Sequence, residues 1–280
     1  MRPLTLIDRF QVDLRVRTAG AERIKTVLLG MIVCFPMTVS AWNYNSQEVT
    51  TTHSAQVRMG ANFNKKWNNG LRLGISEDLR FDVYNSMSGT AFRTSFTTLT
   101  FGYRPIEYVK FDVGYTLKVM NKDTTDVKEL LRHRVFGSVT GSYTTKYVKL
   151  SLRERVLMEA RTDSVNLKEK SRYALQLRSK IGAEFIVPGK PVKPYLWCEV
   201  INTLNAPEYQ QNNGRQFISQ VRTQAGARWR VSKLSSLDFY YRFTYGYNRD
   251  INITKKMGYI ELTEEKLFQH AIGVIYNLEW

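Results

Sequence analysis

Cysteine is almost missing from this chain: its 280 residues hold two, Cys34 and Cys198. That excludes a disulfide scaffold, so an exported protein of this composition must find its stability elsewhere. Histidine is as sparse. His53, His133 and His270 are scattered, and with one cysteine after residue 41 they give no metal-ligand spacing. No apolar run after residue 41 approaches the ~18 residues of a membrane-spanning helix. Neither a phosphate-binding glycine loop, a dinucleotide fingerprint nor a G-x-S-x-G elbow occurs, and the reading calls for no cofactor. With 7 prolines and 17 glycines the chain is not fibrous or collagen-like. Acidic residues are in deficit, 25 against 41 Lys and Arg, for a net charge of +16. A hydrophobic fraction of 43% with 12% aromatic residues excludes a disordered chain.

The first 41 residues read as a cleavable signal peptide. A polar, basic stretch ends in Arg23-Ile24-Lys25, an apolar run covers 26–35, and Val39-Ser40-Ala41 supplies small residues for cleavage. The apolar run is short for the alternative, a transmembrane anchor. Val33 before Cys34 argues against a lipoprotein site. Residues 42–280 form the remaining domain.

That domain has a period of two. In 109–119 the odd positions are Val, Phe, Val, Tyr, Leu and Val, and the even ones Lys, Asp, Gly, Thr and Lys. This is a strand with one apolar and one polar face. The pattern recurs in 71–83, 147–156, 173–185, 221–231 and 237–245. It is less clean in 55–63, 92–103 (with a phase slip near Thr97 that reads as a bulge), 131–143 and 195–204. No helical period of useful length appears, so the chain is all-β.

Connection lengths alternate. Short turns are expected at 64–67, 104–107, 144–146, 188–191 and 232–233, and longer polar loops at 85–91, 121–128, 161–171, 205–215 and 247–265. Such alternation belongs to antiparallel up-and-down transmembrane barrels of the bacterial outer membrane. A secreted sandwich or large lipocalin-like barrel is the soluble alternative. Against it stand long charged residues on the polar face and aromatics near strand ends: Tyr84, Tyr103, Tyr108, Tyr143, Tyr147, Tyr173, Tyr195 and Trp229. The last strand weighs most. Ile272, Val274, Tyr276, Leu278 and Trp280 alternate with Gly273, Ile275, Asn277 and Glu279. Tyr276, Leu278 and Trp280 resemble the terminal signal read by the barrel assembly machinery, an expected partner beside outer-membrane lipid and lipopolysaccharide. Eleven strands are countable from residue 55, and the even number usual for bacterial barrels adds one at 42–49. Twelve is the expectation and ten the alternative.

Segments 62–82 (NFNKKWNNGLRLGISEDLRFD), 97–117 (TTLTFGYRPIEYVKFDVGYTL), 131–156 (LRHRVFGSVTGSYTTKYVKLSLRERV), 177–185 (LRSKIGAEF) and 237–243 (LDFYYRF) are similar to one family. It is the outer-membrane β-barrel family catalogued as domain of unknown function 2490. The resemblance covers most of 55–280 and rests on charged clusters at set strand positions. It implies an outer-membrane barrel and supplies no activity, substrate or catalytic residue.

If the apolar faces meet lipid, the polar faces line a lumen. That lumen collects Arg72, Arg80, Lys110, Lys118, Arg132, Arg134, Lys149, Arg153, Arg155, Arg178, Lys180, Arg222, Arg228, Arg230 and Arg242 against Asp78, Asp82, Asp112, Glu184 and Asp238. A cation-rich tube focuses a positive field, and rings of Arg and Lys select anions and phosphates. The expected function is a narrow passive channel favouring small anionic solutes. The alternative is a closed structural or partner-binding barrel, whose Arg and Asp neutralise each other in a plugged core. Lys122, Lys128, Arg161, Lys168, Lys170 and Arg172 could also grip lipopolysaccharide phosphates, or be solvated loop charge. An outer-membrane hydrolase reads as the weakest case, because His133 falls on the lipid-facing phase between two arginines. Nucleic acid is a poor explanation of the charge, since the basic residues alternate with apolar ones.

Overall fold

The computed structural model describes residues 46–84, 92–121, 130–161, 171–205, 218–254 and 259–280. The expected signal peptide, 1–41, lies outside these residues. The described strands are β1 (Ser46–Lys66), β2 (Leu71–Tyr84), β3 (Phe92–Ile106), β4 (Val109–Met120), β5 (Leu131–Thr144), β6 (Val148–Arg161), β7 (Tyr173–Phe185), β8 (Val192–Thr203), β9 (Ile218–Arg230), β10 (Ser235–Thr254) and β11 (Tyr259–Glu279). Consecutive strands pair antiparallel, and β1 also pairs with β11, so the sheet closes into a barrel.

The closing seam is parallel, running from Ser46↔Glu261 to Asn64↔Glu279. It explains why eleven strands are found among the described residues instead of twelve or ten. The even number assumed antiparallel pairing at every seam, and one parallel seam removes that requirement. Residues 46–49, expected within a separate first strand, are the start of β1, which runs unbroken through the strand expected at 55–63.

Two further differences concern length. The loop expected over 247–265 is mostly strand, because β10 and β11 stay paired out to Thr254↔Tyr259. β2 joins β1 only from Ala55↔Tyr84, and β9 leaves β10 at Gly246↔Gln220. The ends of β1, β10 and β11 therefore continue as a ribbon on the long-connection side. Nor is there a bulge at Thr97. The β2–β3 register passes evenly through Glu77↔Thr97, and the irregularity lies between Arg80 and Phe81. The phase slip has another cause: Phe96 is buried inside while Leu99, Phe101 and Tyr103 are exposed outside.

Burial is inverted relative to a water-soluble domain. Ile75, Leu99, Val113, Ile181, Leu196 and Ile272 are 49–59% exposed, whereas Gln56, Arg58, Asp112, Arg132, Glu199 and Gln224 are 3–5% exposed. Tyr103, Tyr108, Tyr143, Tyr147, Tyr173 and Trp229 are exposed near strand ends, as a girdle requires. The side chain of Tyr84 lies outside those described, and among the others Tyr195 is the exception. It points inward, its hydroxyl donating to Asp238 at 2.6 Å.

The first tight connection spans 67–70 instead of 64–67, because Gly70 (φ 84°) can take the left-handed turn that closes it. Gly70 N–H donates to the Trp67 carbonyl at 3.1 Å, and Arg104 N–H to the Gly70 carbonyl at 2.9 Å. A Cβ on Gly70 would come within 2.5 Å of the Arg104 carbonyl oxygen, whereas at Gly189 (φ 73°) nothing lies within 4 Å. Left-handed backbone alone costs a non-glycine residue roughly 1–2 kcal/mol. Gly70→Ala should therefore lower the barrel's unfolding temperature by clearly more than Gly189→Ala. Heat-modified mobility of the two refolded variants on gels measures the difference.

Candidate functional site: a cation-lined lumen

Neighbouring strands lie about 4.8 Å apart, so only side chains on the concave face can meet across an intervening strand. Several do. Arg72 on β2 reaches Asp112 on β4 at 2.9 Å, and Arg153 on β6 reaches Glu199 on β8 at 2.8 Å. Arg228 on β9 meets Glu184 on β7 at 3.0 Å, and the guanidinium of Arg134 on β5 lies 4.9 Å from the Phe96 ring centre on β3. The face carrying the sequence-expected cations is thus the inner one.

A few carboxylates each gather more than one cation. Asp112 takes Lys110 as well as Arg72 (2.9 Å each), and Glu199 takes Arg222 at 3.5 Å beside Arg153. Arg228 also approaches Asp238 at 3.7 Å, while Lys193 approaches Glu184 at 3.6 Å. Arg80 pairs with Asp78 at 2.7 Å, and Arg134 pairs closely with Glu159.

Other cations rest on aromatic faces, where the ring quadrupole attracts them. Arg80 lies 3.9 Å from the Phe96 centre, Arg155 4.0 Å from Phe136, and the Lys180 ammonium 3.8 Å from Trp197. Arg242 lies 5.1 Å from Tyr240 and 5.3 Å from Trp197. These inward rings need room beside them. A Cβ on Gly273, the residue opposite Tyr240, would overlap the Tyr240 ring.

A third group is held by neutral amides. Arg242 Nε donates to Gln224 Oε1 at 2.7 Å and Arg178 Nη2 to Gln176 Oε1 at 2.9 Å. Arg58 Nη2 donates to Gln56 at 3.0 Å and to Gln269 at 3.1 Å. Arg132 is 4% exposed, Lys118 stands opposite it in register, and Lys149 stands opposite Glu184. Arg230 is exposed at the short-turn mouth. There it lines a cavity of about 400 Å³ with Arg72, Lys193, Arg228, Lys233 and Glu279.

Glu159, Glu199 and Arg58 were not picked out from the sequence. Glu199 is masked by Trp197 and Ile201, apolar residues on the same inner face. Glu159 lies past the clean part of its alternation, and Arg58 lies among the small residues Ala55, Gly60 and Ala61. An Arg or Lys two strands away from an acid gives no local signal.

The histidines lie elsewhere. Tyr115 and His133 share a hydrogen bond of 2.6 Å among exposed side chains, Tyr241 and His270 one of 2.7 Å, and His53 stacks on Phe268 at 5.2 Å. Two carboxylates also face outward and meet hydroxyls: Glu77 with Ser95 and Thr97, and Glu154 with Ser179 at 2.7 Å.

A family model described as "Protein of unknown function (DUF2490)" matches residues 45–254. No curated protein matches the chain. A solved structure titled as a NanC porin in a rhombohedral crystal form is similar at 9% identity, with a TM-score of 0.43, over 67% of this chain and 86% of that one.

Breaking a buried pair strands its partner charges, which costs about 3–5 kcal/mol. An exposed pair is worth about 0–1 kcal/mol. Glu199, 5% exposed, and Glu279, whose side chain is 51% exposed beside Lys66, offer the contrast. Glu199→Gln should destabilise the barrel by about 3 kcal/mol and Glu279→Gln by less than about 1 kcal/mol, measured by urea unfolding of refolded protein in detergent.

Proposed function

The chain belongs to that family of proteins of unknown function, DUF2490, and we propose from this premise that it is a bacterial outer-membrane barrel passing small anions through its lumen. Outward apolar side chains support the membrane setting, because exposed Leu, Ile and Val in two-residue alternation suit lipid and not water. The outward Glu77 and Glu154 fit it as well, since each carboxylate has hydroxyl donors at hand.

One observation carries the anion reading: cations stand directly opposite cations in the lumen wall. Arg58 faces Arg80, Lys118 faces Arg132, Arg132 faces Arg161, Arg153 faces Lys180, and Arg155 faces Arg178. Like charges in opposed positions are destabilising. A wall meant only to be packed gains nothing from them, whereas a path for anions does, because the field they sum to attracts and concentrates negative solutes. The seam residues fit barrel assembly. Tyr276 on β11 and Trp280 just past its end are exposed, and Lys66 N–H donates to the Trp280 carbonyl at 2.8 Å. We read the barrel as non-catalytic, with His133 and His270 each engaged by a tyrosine on the outer face. The second reading, a closed structural barrel, draws on the pairs that bridge alternate strands, such as Arg72–Asp112 and Arg153–Glu199.

Single-channel recording of refolded protein under a potassium chloride gradient should give an anion-signed reversal potential. The combined Arg132→Glu, Arg153→Glu and Arg228→Glu variant should move it toward cations. A folded variant with unchanged selectivity, or a folded wild type that stays electrically silent, rejects the channel in favour of the closed barrel. Trp280→Ala should slow appearance of the barrel in outer membranes while leaving the stability of refolded protein within about 1 kcal/mol. Pulse-chase fractionation reads the first, and urea unfolding the second.

A further inference from the structure

Three stretches on different strands repeat one short pattern: Gln56-Val57-Arg58 on β1, Gln176-Leu177-Arg178 on β7 and Gln220-Val221-Arg222 on β9. Residues two apart share a face of a strand, so in each stretch the glutamine and arginine project together into the lumen. Each glutamine carbonyl oxygen accepts from the arginine that follows, at 3.0 Å to Arg58 Nη2, 2.9 Å to Arg178 Nη2 and 2.6 Å to Arg222 Nη2.

The neutral partner is what matters. A glutamine fixes the guanidinium plane as a carboxylate would, but leaves its charge uncancelled. The barrel also holds the charged version at the same spacing: Asp78-Leu79-Arg80 on β2, with Arg80 donating to Asp78 at 2.7 and 3.0 Å. Arg58 stands directly opposite that Arg80. It is 3% exposed, it donates to two glutamines, and its Nε has no acceptor among the described residues. Arg222 touches Glu199 only at 3.5 Å, and that carboxylate is shared with Arg153 at 2.8 Å.

Register sets the three steps along one stretch of the wall. Arg178 and Gln220 both stand opposite Ile201 of β8. Arg58 stands opposite Gly273, itself opposite Tyr240, and the Arg242 that rests on the Tyr240 ring donates to Gln224, two residues from Arg222. Positioned guanidinium groups that outnumber the carboxylates beside them are suited to a planar or tetrahedral oxyanion, whose oxygens accept two parallel N–H bonds from one fork. A halide has no such oxygens and meets only the charge.

Resting on the channel reading above, we propose that the three Gln-x-Arg steps form a binding site for a compact oxyanion, of phosphate or carboxylate type, which the lumen holds in preference to chloride. The glutamines orient the arginines and the arginines hold the oxyanion. Lysine at the same positions would keep the charge and lose the fork.

The test is phosphate block of chloride current through the refolded protein in a planar bilayer. Millimolar inorganic phosphate should reduce wild-type current. The Arg58→Lys/Arg178→Lys/Arg222→Lys variant should weaken the block by roughly tenfold. Where that variant fails to refold, Arg178→Lys alone should weaken the block about threefold. Gln56→Glu/Gln176→Glu/Gln220→Glu should abolish it. An anion-selective wild type that phosphate does not block, or lysine variants blocked as strongly as wild type, overturns the oxyanion site and leaves the channel standing. An electrically silent wild type overturns the channel instead. The site is then read by equilibrium dialysis of labelled phosphate against the folded barrel in detergent. Binding that the lysine change weakens supports the site, and absence of binding overturns it.

Discussion

Backbone hydrogen bonding that runs round the ring without a free edge is the constraint from which the rest of this barrel follows. An open edge leaves a row of N–H and C=O groups unpaired, a template for pairing with another chain. Here β1 meets that demand twice, antiparallel to β2 on one side and parallel to β11 on the other. Closure in turn divides every strand into a convex and a concave face, so a period of two in the chain becomes an outside and an inside.

Crowding on the concave face then dictates its chemistry. Long side chains from strands that are not neighbours converge there, and they are settled in three ways: on shared carboxylates such as Glu199 and Asp112, on rings such as Phe96 and Trp197, and on glutamine oxygens. The three differ in how much positive charge they leave. Carboxylates cancel it, rings temper it, and amides leave it whole. The barrel thus carries a graded interior in which position along the wall decides how much positive charge remains.

Much of this was legible in residues 109–119, where charge and apolarity alternate without a break and β4 follows. The inner wall was harder to read wherever it holds apolar groups. Phe96 looked like a register slip and turned out to be a ring under Arg80, and Trp197 hid Glu199 for the same reason. Tyr195 was read as part of the interfacial girdle, yet it bonds to Asp238 inside. Alternation reports two faces but not which face an aromatic ring will choose, because cation–π stacking makes the polar side hospitable to it. Strand number escaped for a different reason. Whether the two terminal strands meet parallel or antiparallel depends on residues more than 200 positions apart, such as Thr52 and Glu265. No local pattern encodes that.

That same seam sets the barrel's order of construction. Every other ladder joins strands adjacent in the chain, so it can form as a hairpin soon after its two strands exist. β1 and β11 have no such shortcut, and the loop between them is the chain itself, whose closure entropy must be met before the first seam contact forms. Until then the sheet has two live edges, with β1 offering its whole length from Ser46 to Asn64. Joining is therefore a late event, and an incomplete barrel is an open sheet with its cations facing a gap.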